Sequence, residues 1–136
     1  MSYTNTFIKV ADDCPVVTSE VPVSKKDKKP MHLIQYELLK QHPYTYDHEA
    51  LIYEVFIKYR EISEDVLEKE SEKIKTELFS KGHPCLRASA LTKRYGFGAH
   101  YNEQGKIAIY PMESKDYEAF MADKGMKILS AMKTKR

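Results

Sequence analysis

One stretch, KGHPCLRASALTKRYGFGAH from Lys81 to His100, constrains this chain more than any other. It carries three of the five glycines, Gly82, Gly96 and Gly98, together with Pro84, and it contains no Asp or Glu. Glycine relaxes the backbone and proline forbids continuation of a helix, so a helix must end at its start. Phe97 sits between two glycines, which permits unusual backbone angles or a close approach by another group.

The same stretch gathers Arg87, Lys93 and Arg94 with the hydroxyls of Ser89 and Thr92. Backbone freedom, cations and hydroxyls are what an anion or phosphate site needs. The candidate ligand-binding residues are therefore Cys85, Arg87, Ser89, Lys93, Arg94, Phe97 and His100. On this reading Arg87, Lys93 and Arg94 share one mouth, and Cys85 and His100 line its wall. The alternative gives Arg87 a structural task, pairing with Glu70 or Glu77 and fastening the loop to the helix before it.

Several chemistries find little support. Cys85 or Cys14 would need a positioned base to act as a nucleophile. His83 and His100 supply imidazoles, but an isolated cysteine usually packs as a small apolar group. Cys14, Cys85, His83 and His100 lack a C-x-x-C pair, so no metal site is assigned. GFG lacks the spacing of a nucleotide fingerprint, and no cofactor is implied. Nothing in the sequence places a group opposite Asp12 and Asp13 to make an acid–base pair.

The chain has 136 residues and a net charge of +2, with 42% hydrophobic and 31% charged residues. That composition fits one globular domain large enough to bury a core. A charge this small gives no general attraction to nucleic acid, although Arg87, Lys93, Arg94 and Tyr95 with a stacking Phe97 keep that partner open. Ten tyrosines and no tryptophan suit either a protein-binding surface or a core. The candidate partners are thus a small anionic ligand or a protein. The start, MSYTNTFIKV, has no signal-peptide pattern, and no apolar run approaches the ~20 residues of a membrane span. With two cysteines, a cytoplasmic chain with reduced thiols is expected.

Along the chain, Thr6–Ala11 reads as a strand, and residues 12–29 as an irregular surface connection ending in KKDKK. The lysine run has no interleaved aromatics and reads as solvated. Pro30 opens a helix with Met31, Ile34, Leu38 and Leu39 inward, which Pro43 ends. The segment from Asp47 to Ile62 fits both a helical face (Leu51, Ile52, Val55, Phe56, Tyr59) and a strand face (Tyr53, Val55, Ile57, Tyr59). Its β-branched and aromatic density favours a strand over Ile52–Arg60 after one helical turn. Ser63 caps a helix to Lys81 with a stripe of Leu67, Ser71, Ile74 and Leu78. Phe97–Tyr101 and Lys106–Tyr110 flank NEQG as a hairpin. Ser114 caps another helix, and a final helical piece carries Met126, Leu129 and Met132. The fold class is α+β: a single domain, a small antiparallel sheet of about four strands, and helices mainly on one face.

The segments TNTFIKVADDCP, QYELL with PYTY, SKGHPCLRASALTKRYGFGAH, GKIAIY and SKDYEAF together resemble a family of small bacterial proteins classed as a domain of unknown function. The resemblance covers nearly the whole chain. It implies a compact α+β protein without an assigned activity, and it supplies no catalytic residues.

Overall fold

A computed structural model describes residues 3–134. Four strands, β1 (Thr6–Lys9), β2 (Phe97–Tyr101), β3 (Ile107–Pro111) and β4 (Lys127–Ser130), form one sheet in the order β3-β2-β1-β4. β1 runs antiparallel to β2, β2 antiparallel to β3, and β1 parallel to β4. The helices are α1 (Met31–Gln41), α2 (His48–Arg60), α3 (Glu64–Leu78), α4 (Ala90–Lys93) and α5 (Lys115–Ala122). A 3-10 turn at Leu86–Ala88 precedes α4. The architecture is α+β in a single small domain.

Alternation along the strands divides the core in two. Ile8, Phe97, Ala99, Tyr101, Ile107 and Ile109 point to one face, where α1, α2 and α4 supply Ile34, Leu38, Leu39, Leu51, Val55 and Leu91. Phe7 and His100 are paired across β1 and β2 and point to the other face. There α5 lays Tyr117 and Phe120 against Phe7, with ring centroids 5.0 Å apart in each pair. Gly98 lies on the same face. A Cβ there would stand 2.5 Å from the Phe7 ring and 2.7 Å from the Tyr117 ring, so glycine is what lets α5 approach.

Several expected elements differ. The strand expected over Ile52–Arg60 is α2, capped by the Asp47 side chain accepting from the Ala50 N–H. His48, Leu51 and Val55 are its buried residues, so helical spacing wins because α1 and the sheet offer that face a core. The fourth strand is instead β4, where a last helical piece was expected. An Asx turn at Asp123, whose carboxylate accepts from the Gly125 N–H, redirects the chain. Residues 127–130 then pair with β1 in parallel register, Phe7 opposite Ile128. The helix after Ser63 stops at Leu78 rather than Lys81, with Phe79 as its C-cap. Of its apolar stripe Leu78 is buried, and Leu67, Ser71 and Ile74 are half-buried.

The β3 edge is not left open. The Tyr44 N–H donates to the Ile107 carbonyl, and the Ile107 N–H donates to the Tyr46 carbonyl. The α1–α2 loop therefore covers the start of an edge that would otherwise invite another strand.

Candidate functional site

The Lys81–His100 stretch leaves α3, makes the 3-10 turn and α4, and enters the sheet through Gly96 (φ +80°). Ser89 caps α4: its Oγ accepts from the Leu91 N–H and donates to Gln35 Oε1 on α1 at 2.7 Å. Thr92 is fully buried and donates to the Leu86 and Ser89 carbonyls, locking the turn to the helix. These bonds place Cys85 and Ser89 against α1. Together with Met31, His32, Gln35 and Pro84 they line a cleft of about 240 Å³.

No carboxylate lines that cleft. His32 stacks on Tyr95, centroids 5.1 Å apart. Burial holds its imidazole below the ordinary 6.5, and the charge of Arg94 lowers it further. At neutral pH the cleft therefore has a neutral imidazole and a nearby guanidinium. Gln35, its carbonyl oxygen taken by Ser89, has an amide N–H₂ left to donate.

Cys85 also touches Tyr3, which packs on Tyr101. The Tyr3 hydroxyl and the Cys85 Sγ are 3.4 Å apart, and Tyr3 packs edge-on against Tyr101 at 5.3 Å. Tyr101 is fully buried, and its hydroxyl has no hydrogen-bond partner among the described residues. Burial pushes that hydroxyl far above its usual value and Cys85 adds to the shift, while the nearby Leu86 N–H, which does not reach hydrogen-bond geometry, pulls the other way.

The remaining expected residues scatter. Arg87 donates its Nε–H to the Ser130 carbonyl on β4 at 2.8 Å, while Arg94 is exposed outside the cleft and only its charge reaches His32 of α1. Arg87 thus has its tie on β4 rather than on Glu70 or Glu77. Lys93 closes α4 with its N–H on the Ser89 carbonyl. Phe97 is buried in the core against Tyr36. His100 follows Ala99 and precedes Tyr101, so strand alternation turns it to the α5 face, away from Cys85. The expected single mouth is corrected accordingly: Cys85 and Ser89 share a cleft, and His100 stands on the far side of the sheet.

A family model, described as a family of unknown function (DUF6157), matches residues 1–136. The chain belongs to this family. No curated protein and no solved structure matches it.

Two further features of this DUF6157 chain were hidden from sequence reading. On the α5 face the Tyr44 hydroxyl lies 2.7 Å from His100 Nδ1 and 2.7 Å from the Tyr110 hydroxyl, with Phe120 stacked on His100 at 4.2 Å. The partners are 56 and 66 residues apart, so no local spacing signals them. Burial pushes the Tyr44 hydroxyl far up and the His100 imidazole down. Both groups are neutral at pH 7.

The second feature is a larger cleft of about 570 Å³ between α1, α2 and the lysine run. It is lined by four carboxylates (Asp27, Glu37, Glu54, Glu61) and three lysines. Lys29 is already paired with Glu37 at 2.9 Å, and Lys28 lies over the Tyr59 ring at 4.1 Å. This balance gives it no preference for an anion, so the smaller cleft is the better candidate despite its size. Among the described residues no three His, Cys, Asp or Glu side chains converge as a metal site requires, and no helix is long and apolar enough to cross a membrane.

Proposed function

We propose that this domain binds a small anionic or phosphorylated ligand in the Cys85–Ser89 cleft, without catalysing a reaction on it. The observation that carries the reading is the lining itself: donors from Gln35, His32 and Cys85, with Arg94 adjacent and no carboxylate in the wall. A cleft of about 240 Å³ suits a group the size of phosphate or a short carboxylic acid, because drug-sized ligands occupy ~300 Å³ or more. Arg94 supplies charge, while Gln35 and His32 supply direction.

Thermal shift against inorganic phosphate, phosphate-bearing metabolites and short carboxylates tests this. A ligand specific for the folded state raises Tm. Gln35→Ala and Arg94→Ala should each weaken the shift. A flat response across the whole panel would overturn the reading.

A protein partner is the second reading, favoured by Val17, Val21 and Val23, which stand exposed along the 12–29 connection. Size-exclusion chromatography with candidate partners addresses it, and a chain that stays monomeric with all of them would remove it.

A further inference from the structure

The tyrosine pair at Cys85 has no part in holding an anion, yet its arrangement is chemically specific. Both cysteines are free and partly exposed. Only Cys85 combines access from a cleft, a hydrogen-bonded hydroxyl on Tyr3, and the buried, unpartnered hydroxyl of Tyr101 nearby. A buried hydroxyl left without a partner is costly, and beside a thiol it leaves a donor free for an oxygen that is present only part of the time.

We propose that Cys85 is a site of reversible oxidation by small hydroperoxides, at which the sulfenic oxygen is held by the hydroxyls of Tyr3 and Tyr101. In the step, the Cys85 thiolate attacks one oxygen of hydrogen peroxide. An S–O bond forms, the O–O bond breaks, and the hydroxide that leaves takes up the proton the Cys85 thiol gave to solvent, so water is the second product. Sulfur loses two electrons and the peroxide gains them, giving Cys–SOH. The new oxygen is an acceptor within the two-tyrosine corner. Arg87, whose charge also acts on the Tyr3 hydroxyl, places a cation at the edge of that corner. The chemistry needs only the access that the cleft provides, not an anion in it.

Cys14 is an internal comparison. It packs against the core, and the hydroxyl in its field, Tyr117, already accepts from the Val10 N–H at 2.9 Å.

The test uses the full chain without phosphate. One equivalent of hydrogen peroxide is added in the presence of a 1,3-dione that traps sulfenic acid, and both cysteine peptides are quantified by mass spectrometry. Cys85 should carry on the order of tenfold more adduct than Cys14. Equal labelling, or labelling of Cys14 alone, overturns the proposal. Tyr101→Phe keeps the ring and removes only the hydroxyl, so the fold should be retained or stabilised. In that variant the Cys85 adduct should fall several-fold, with more irreversible sulfinic acid in its place. An unchanged adduct yield would overturn the role given to Tyr101.

Discussion

Arg87 holds the carbonyl of Ser130 through its Nε–H at 2.8 Å, and the N–H of Met132 returns to the Arg87 carbonyl at 2.8 Å. The two bonds clip the 3-10 turn before α4 to the end of β4, the edge strand that joins the sheet last in sequence. Arg87→Ala should cost about 1–2 kcal/mol in chemical denaturation, since it removes a charge-assisted hydrogen bond to a half-buried carbonyl. Arg87→Lys should recover little, because an ammonium cannot reproduce the guanidinium geometry. Unchanged stability in both variants would show that the clip is incidental.

Gly98 makes a sharper steric prediction. Its missing Cβ would meet ring atoms of Phe7 and Tyr117 at 2.5 and 2.7 Å. Neither ring is free to retreat, since Phe7 is fully buried and Tyr117 is tied by the Val10 N–H to its hydroxyl. Gly98→Ala should therefore destabilise by about 1–3 kcal/mol, the usual cost of overpacking. A variant as stable as the parent would mean that α5 can lift off the sheet without loss.

These two residues also show how much the sequence disclosed. The glycine-and-proline punctuation located the turn, α4 and the hairpin, because each of those features is written in local chemistry. The α2 segment reads as a strand because Ile52, Tyr53, Val55, Phe56 and Ile57 favour extended backbone, while the burial of Leu51 and Val55 against α1 is a tertiary gain. Its end was equally obscure: the left-handed position is filled by Glu61 (φ 52°), where glycine would have signalled it. β4 is four residues long, with a parallel partner about 120 positions away in β1, so nothing local announces it. At the site, Cys85 and Ser89 were legible from their loop. His32 and Gln35 were not, because on α1 they read only as polar positions of an amphipathic helix.

Acid should destabilise the fold in a defined window. His32, His48 and His100 are each held below 6.5 chiefly by burial. Arg94 lowers His32 further, while Asp47 and Glu49 oppose the shift at His48 and Asp123 opposes it at His100. Tyr44 and Phe120 pack on His100 as neutral groups. Because the folded-state values are depressed, the unfolded chain takes up protons first. The stabilisation is complete above about pH 6.5 and is lost as pH falls through that value. Proton uptake on unfolding should therefore rise below pH 7, and Tm should fall between pH 7 and 5. Glu113, held below 4.5 by the Ser19 N–H and hydroxyl, adds a further loss only at lower pH. A Tm that is flat from pH 7 to 5 would contradict the assigned burial of the three imidazoles.

The anion site is tested most directly by titrating the isotopically labelled protein with inorganic phosphate and following backbone amide resonances. The account predicts saturable shifts concentrated at His32, Gln35, Cys85, Ser89 and Arg94, the residues in and beside the cleft of about 240 Å³. Those shifts should weaken several-fold in Arg94→Ala, while residues of the α1–α2 cleft, such as Glu54 and Lys58, stay still. Shifts gathered at Lys28, Lys29 and Lys58 instead, or no saturable shift anywhere, would contradict it.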